Sequence, residues 1–190
     1  MVSRIDPFTP LEPEAQRAMD RLLPPGMRPP ALFAGVARNA GLFAYMVDTG
    51  IIRPTGLLDR RVLPKALREC VVLRTCFATR NDYEFNLHVQ TISDRMGLSP
   101  AQIDDVRRPR PDPALWSEDQ LVAIRLVDAA VRLEVEDALW EEIRAVLDIA
   151  AMVEITQIAG LYVGVAMQCA LLRPAFDLYR FTAPVRARMD

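Results

Sequence analysis

A single histidine, His88, stands four residues after Glu84 and seven after Asn81, in the stretch from Leu63 to Ser99 that reads LPKALRECVVLRTCFATRNDYEFNLHVQTISDRMGLS. On an α-helix each residue advances about 100°, so these three side chains fall within roughly 60° of one another, on one stripe. Glu69, on the preceding helical segment, can be folded back against that stripe. Tyr83, Phe85, Leu87, Val89 and Ile92 surround it with apolar bulk. A polar stripe on such a helix is either paired inside the core or lines a pocket. An imidazole titrates near neutrality, and neighbouring carboxyl groups hold it in one tautomer and strengthen its grip on a proton. The chemistry that follows is general acid–base catalysis. Plainer readings compete at each position. Glu84 and His88 could be a surface i,i+4 contact worth a few tenths of a kcal/mol. Glu69 could pair with Arg68 or Arg74, and Asn81 could cap the helix that follows it.

Other site chemistries find less support. One histidine with Glu84 supplies at most two ligands for zinc or iron. Thr91 and Ser93 lie near His88, yet no nucleophile, base and acid arrange into a triad. Neither kind of glycine-rich phosphate loop is present. Cys76 follows Glu69 by seven residues, which puts both on nearly the same side of their helix. A thiol there would be activated by the imidazole, although a free cysteine is more often a small buried hydrophobe.

The pattern resembles the carboxymuconolactone decarboxylase and alkyl hydroperoxidase D superfamily. Leu63-Pro64 opens a helix carrying Arg68-Glu69, the block Tyr83-Glu84-Phe85…His88 follows, and Gly97-Leu98-Ser99-Pro100 closes the unit. The peroxidase branch has a Glu, an eleven-residue gap, then Cys-x-x-Cys-x-x-x-His. Glu69 and His88 hold the outer positions here, while Asn81 and Glu84 stand where the two cysteines would be. The dithiol is gone, and what remains is similar to the decarboxylase-like branch. The resemblance implies an all-α, single-domain helical bundle of the alkyl hydroperoxidase D-like type. It also implies a cofactor-free lyase acting on a small carboxylated lactone or related keto acid. His88 would be the proton donor, Glu69 and Glu84 would orient it or relay its proton, and Asn81 would be a neutral hydrogen-bond donor. Tyr83 and Cys76 would touch the substrate. No metal or organic cofactor is required. Trimers or hexamers are implied as well. A peroxidase-like activity through a single thiol, and a non-catalytic ligand-binding or assembly role, stand as alternatives.

Composition bounds the rest. The chain has 190 residues, 51% of them hydrophobic, and a formal net charge of −2 from 23 basic and 25 acidic residues. That length suits one domain with its own core. No basic block marks a nucleic-acid surface. The first sixteen residues lack the apolar run of a secretory signal, and three cysteines without framework spacing suit a reducing cytoplasm.

The elements that must position the stripe are helical. Residues 1–30 form an N-terminal extension with a short helix from Leu11 to Leu23, stopped by Pro24-Pro25-Gly26. A second helix runs from Ala31 to Thr49, with Gly41 as a break. Ile51 to Val62 is a connector with a turn at Pro54-Thr55-Gly56 and Asp59-Arg60-Arg61 exposed. The family core unit, 63–105, holds helices at Lys65–Ala78 and Tyr83–Met96, the second ended by Gly97. Ser99-Pro100-Ala101-Gln102 then opens a short helix to Val106. Residues 107–116 read as a proline-rich linker whose arginines are solvated. The helices of 117–173 begin at the capping box Ser117–Gln120 and include Asp137–Leu147. The apolar segment Ile149–Leu172 has the length of a membrane span, but Glu154, Thr156, Gln157 and Gln168 argue for a core or subunit-interface helix. Residues 174–190 form a tail. Partners are expected to be a small-molecule substrate and further copies of the chain, with no nucleic acid and no membrane.

Overall fold

In the computed structural model the described residues are 3–53, 55–57 and 60–179. Among them are nine α-helices, a 3-10 turn at Pro113–Leu115, and no strand. The fold is all-α, as the density of helix formers requires. The described residues divide into two compact units, one of those within 3–61 with 167–177, the other of 62–166 with 178–179.

The first unit is built from α1 (Pro13–Leu22), α2 (Ala31–Val36) and α3 (Ala40–Asp48). Ala15, Ala18 and Met19 recur at helical spacing on α1, and with Phe43, Ala44 and Val47 of α3 they make a buried cluster. The expected single helix over 31–49 is two helices. Its break falls at Ala37–Asn39 rather than at Gly41, which lies inside α3. Asn39 decides this, because its side chain accepts from the Leu42 amide at 3.1 Å and starts a new helix. Pro30 has no N–H to contribute before α2, and the Asp177 carboxylate caps that helix by accepting from the Ala31 amide at 2.9 Å. The N-terminal extension is tied in by Arg38, whose guanidinium donates to the carbonyls of Thr9 (2.6 Å) and Pro10 (2.9 Å). In the connector the Gly56 amide donates to the Arg53 carbonyl at 2.8 Å, closing a turn. A Cβ on Gly56 would lie 1.8 Å from the Gly50 carbonyl oxygen, so only glycine fits. Pro54 and Asp59, expected in that turn and on its surface, lie outside the described residues, as does the tail beyond Tyr179.

The second unit centres on α4 (Lys65–Ala78), which is buried from Leu67 to Cys76 and packs against α5 (Asp82–Thr91) and α7 (Glu118–Arg132). A helix buried all round must pair its polar side chains internally. Arg74 does so with both Asp128 carboxylate oxygens on α7, at 2.7 and 2.6 Å, and with the carbonyls of Val106 and Arg108. After α6 (Pro100–Asp105), opened by the Ser99–Gln102 capping box, the proline-rich segment is strapped to α4 through the Arg108 carbonyl. Buried Asp105 adds to the strap by accepting from the Asp112 amide at 2.9 Å and the Trp116 indole N–H at 2.8 Å. The Arg108 side chain is exposed as expected, while Arg107 lies over the Phe85 ring. The Ser117–Gln120 box opens α7, α8 spans Asp137–Arg144, and α9 spans Ile149–Leu172. The last residues of α9, from Met167, belong to the first unit.

Candidate active site

The site is assembled from α4, α5, the turn after α5, and α9, all within the second unit. The α4–α5 joint is a Schellman turn. Arg80 takes φ +55, its amide donates to the Phe77 carbonyl, and the Asn81 amide donates to the Cys76 carbonyl at 2.8 Å. Asn81 then caps α5, its side-chain oxygen accepting from the Glu84 amide at 3.3 Å. This sharp reversal lays the Asn81–His88 stripe against α4.

Helix α5 ends at Thr91 instead of running on to Met96. The amides of Ile92 and Ser93 both donate to the His88 carbonyl, at 2.8 and 3.0 Å, and the chain turns away. That turn places the buried Ser93 hydroxyl 2.7 Å from Glu69 Oε1, to which it donates. Gly97, at φ +90, closes the turn rather than the helix.

His88 is 3% exposed and has a partner on each ring nitrogen. Nδ1 donates to Glu69 Oε1 at 2.9 Å, and Nε2 lies 3.1 Å from the Tyr162 hydroxyl and 3.5 Å from Glu84 Oε1. The Tyr162 and imidazole rings meet edge-on, with centroids 5.5 Å apart. Of the two arginines expected as ion-pair partners, Arg74 is committed to Asp128, whereas Arg68 forms a buried ion pair with Glu69 Oε2 at 3.7 Å, longer than a hydrogen bond.

Electrostatics make the His88–Glu69 contact an ion pair. Burial works against a charged imidazole, but the Glu69 carboxylate and the hydrogen bonds that Glu69 and Glu84 accept from the ring outweigh it and hold His88 up at about 9. Burial likewise pushes Glu69 up, yet the His88 charge, the His88 and Ser93 hydrogen bonds and the Arg68 charge bring it below its ordinary value. The Tyr162 hydroxyl is driven well above its ordinary value by burial; Arg68 pulls it back, while Glu84 and Glu69 add to the rise. At neutral pH the row is carboxylate, imidazolium and neutral phenol.

Three buried polar atoms in this neighbourhood have no hydrogen-bond partner: Glu69 Oε2, Asn81 Nδ2 and Glu84 Oε2. Asn81 thus divides its amide, the oxygen capping α5 and the nitrogen left to donate. Tyr83 and Cys76 are buried on α5 and α4, and neither is hydrogen-bonded to the His88 ring. Among the described residues no group of three His, Cys, Asp or Glu side chains is arranged to hold a metal ion. Sequence reasoning passed over Tyr162 and Ser93 as site residues. Tyr162 is 74 positions from His88, and its Gly160-x-Tyr162 step, although similar to the family's C-terminal helix, carries no sign of a contact with His88. Ser93 was hidden by the helix expected to continue through it.

Comparison of the chain with protein-family models, with curated proteins and with solved structures finds no match.

Proposed function

We propose that the protein is a cofactor-free, decarboxylase-like lyase for a small carboxylated lactone or related keto acid, with His88 as the proton source. The observation that carries this reading is the buried row Glu69–His88–Tyr162. It holds an imidazolium whose Nδ1 is anchored by a carboxylate and whose Nε2 is directed at a hydroxyl. The decarboxylase-like resemblance of the Tyr83–His88 block supplies the substrate class.

In such a reaction the bond to the carboxylate carbon breaks and carbon dioxide leaves. The electron pair passes into an enolate, or a dienolate where the lactone is unsaturated, conjugated with the lactone or keto carbonyl. A proton from the Nε2 side of His88 quenches the carbanion, and solvent restores the imidazolium. Glu69, held by Ser93, keeps the ring in orientation and stabilises its charge. Asn81 Nδ2, buried without a partner, is a donor suited to the developing oxyanion, where one such bond lowers the barrier by about 3 kcal/mol. Glu84, paired with His88 rather than with an arginine, is the second orienting group.

The testing experiment is carbon dioxide release from a panel of carboxylated lactones and β-keto acids, with His88→Gln beside the native protein. Release that depends on His88 supports the reading. A native protein inactive on the whole panel, or an active His88→Gln variant, removes it. A parallel thiol-dependent hydroperoxide assay with Cys76→Ser reports on the peroxidase alternative.

A further inference from the structure

We propose that Tyr162 is the outlet for the His88 proton: its hydroxyl relays the proton from Nε2 to whatever ligand meets the site. The inference rests on the acid–base reading of His88. It goes further by making the tyrosine oxygen, not the ring nitrogen, the atom that touches the substrate.

The geometry leaves few routes. Nδ1 is committed to Glu69 Oε1, an oxygen that also accepts from Ser93 and is fully buried. A proton moving that way ends on a carboxylate behind the ring. Nε2 faces two oxygens, Tyr162 Oη at 3.1 Å and Glu84 Oε1 at 3.5 Å. The Tyr162 hydroxyl, hydrogen-bonded to Nε2 at 3.1 Å, takes the in-line position on that nitrogen. The nearer oxygen is also the better relay, because a hydroxyl accepts and donates at once. In the transfer, the Nε2–H bond breaks as a new Oη–H bond forms, and the original Oη–H bond breaks as the proton passes to the substrate carbon. Tyrosine ends as the neutral phenol it began as, and His88 ends as neutral imidazole. Burial disfavours a phenolate, so the two transfers are concerted. Tyr162 arrives from α9, so the relay exists only when that helix is docked beside α5.

The test needs no substrate. His88 is the one histidine in the sequence, so the two ring N–H signals of 15N-labelled protein are assigned without ambiguity. Their exchange rates with water are measured at pH 7. In the native protein Nε2–H should exchange faster than Nδ1–H. Tyr162→Phe, checked for fold by circular dichroism, should slow Nε2–H exchange by about a hundredfold, the lower end of what a positioned proton carrier contributes. Glu84→Gln should slow Nε2–H exchange far less than Tyr162→Phe does. Three results would overturn the relay. One is Nε2–H exchange as fast or faster in Tyr162→Phe, which makes the tyrosine a plug. Another is slowing in Glu84→Gln but not in Tyr162→Phe, which makes Glu84 the outlet. The third is Nδ1–H exchanging faster than Nε2–H in the native protein, which routes the proton through Glu69 and decides the matter even if Tyr162→Phe fails to fold. Absence of His88-dependent carbon dioxide release would remove the lyase reading and leave these rates to judge the relay separately.

Discussion

His88 is under two opposed demands. Burial favours a neutral ring, and Glu69 at 2.9 Å favours a charged one, with the carboxylate prevailing. Two consequences follow at the residue scale. The imidazole should titrate at about 9 by NMR, and Glu69→Gln should bring it down, since burial is then opposed by Glu84 without the Glu69 charge. A midpoint near 6.5 in both proteins would remove the ion pair. The sign for stability follows from linkage. The His88 value is raised on folding, so its contribution is complete below about 6.5 and is lost as pH rises through about 9. The Glu69 value is lowered, so its contribution is present above the ordinary carboxylate value of 4.5 and is lost as pH falls. Urea unfolding of the native protein against His88→Gln should show the largest difference near pH 6 and a shrinking one toward about pH 9. For activity, His88→Gln should cost about 10²–10⁴-fold in rate. Glu84→Gln should cost less because an amide still hydrogen-bonds the ring, and Cys76→Ser should be nearly silent. A thiol mechanism would put Cys76→Ser level with His88→Gln and would require a reductant. Loss of activity in the native protein as pH rises through about 9 is the corresponding signature of a donor imidazolium.

At the element scale the arrangement depends on how α4 is held. Arg74 is 2% exposed and spends its guanidinium on Asp128 and two carbonyls of the proline-rich strap. Removing one partner of a buried pair leaves the other charge uncompensated, which costs about 3–5 kcal/mol. Asp128 is a quarter exposed, so Asp128→Ala should fall at or below the lower end, measured by urea denaturation. A variant as stable as the native protein would mean that the strap carries itself. The α4–α5 turn offers the opposite change. Arg80 is exposed and sits at φ +55, a conformation that costs a side chain about 1–2 kcal/mol. Glycine relieves that strain and returns part of it as unfolded-chain entropy. Arg80→Gly should therefore stabilise the protein by about 0.5 kcal/mol while leaving the His88 titration in place.

For the whole molecule, α9 is the element with surface to spare. It is long and apolar enough to cross a membrane by length and composition, and 28% of its most apolar window is buried. Ile149, Val153, Met167 and Leu171 lie exposed along it, and Gly160 and Gly164 face open space. We propose that further copies of the chain cover this face, consistent with the assembly that the family resemblance implies. Sedimentation velocity at micromolar concentration should show an oligomer, and Val153→Arg should shift it toward monomer. A native monomer would leave the face to another partner, and flotation with lipid vesicles would point to a membrane.

What was legible beforehand was local. Lys65–Ala78 and Ile149–Leu172 match the expected helices residue for residue, and both capping boxes lie where Ser99 and Ser117 announce them. Helical period and end-capping act within one turn, so they are written in consecutive residues. The register of Glu69 with Asn81, Glu84 and His88 was legible for the same reason once two helices and a short joint were recognised. Tertiary structure decided the rest. It ended α5 at Thr91 so that Ser93 could reach Glu69, sent Arg74 to Asp128, and set Tyr162 against His88. Each of these is a choice among several hydrogen-bond partners of similar strength. Only the packing of elements distant in sequence determines which partner is near enough, and dry enough, to prevail.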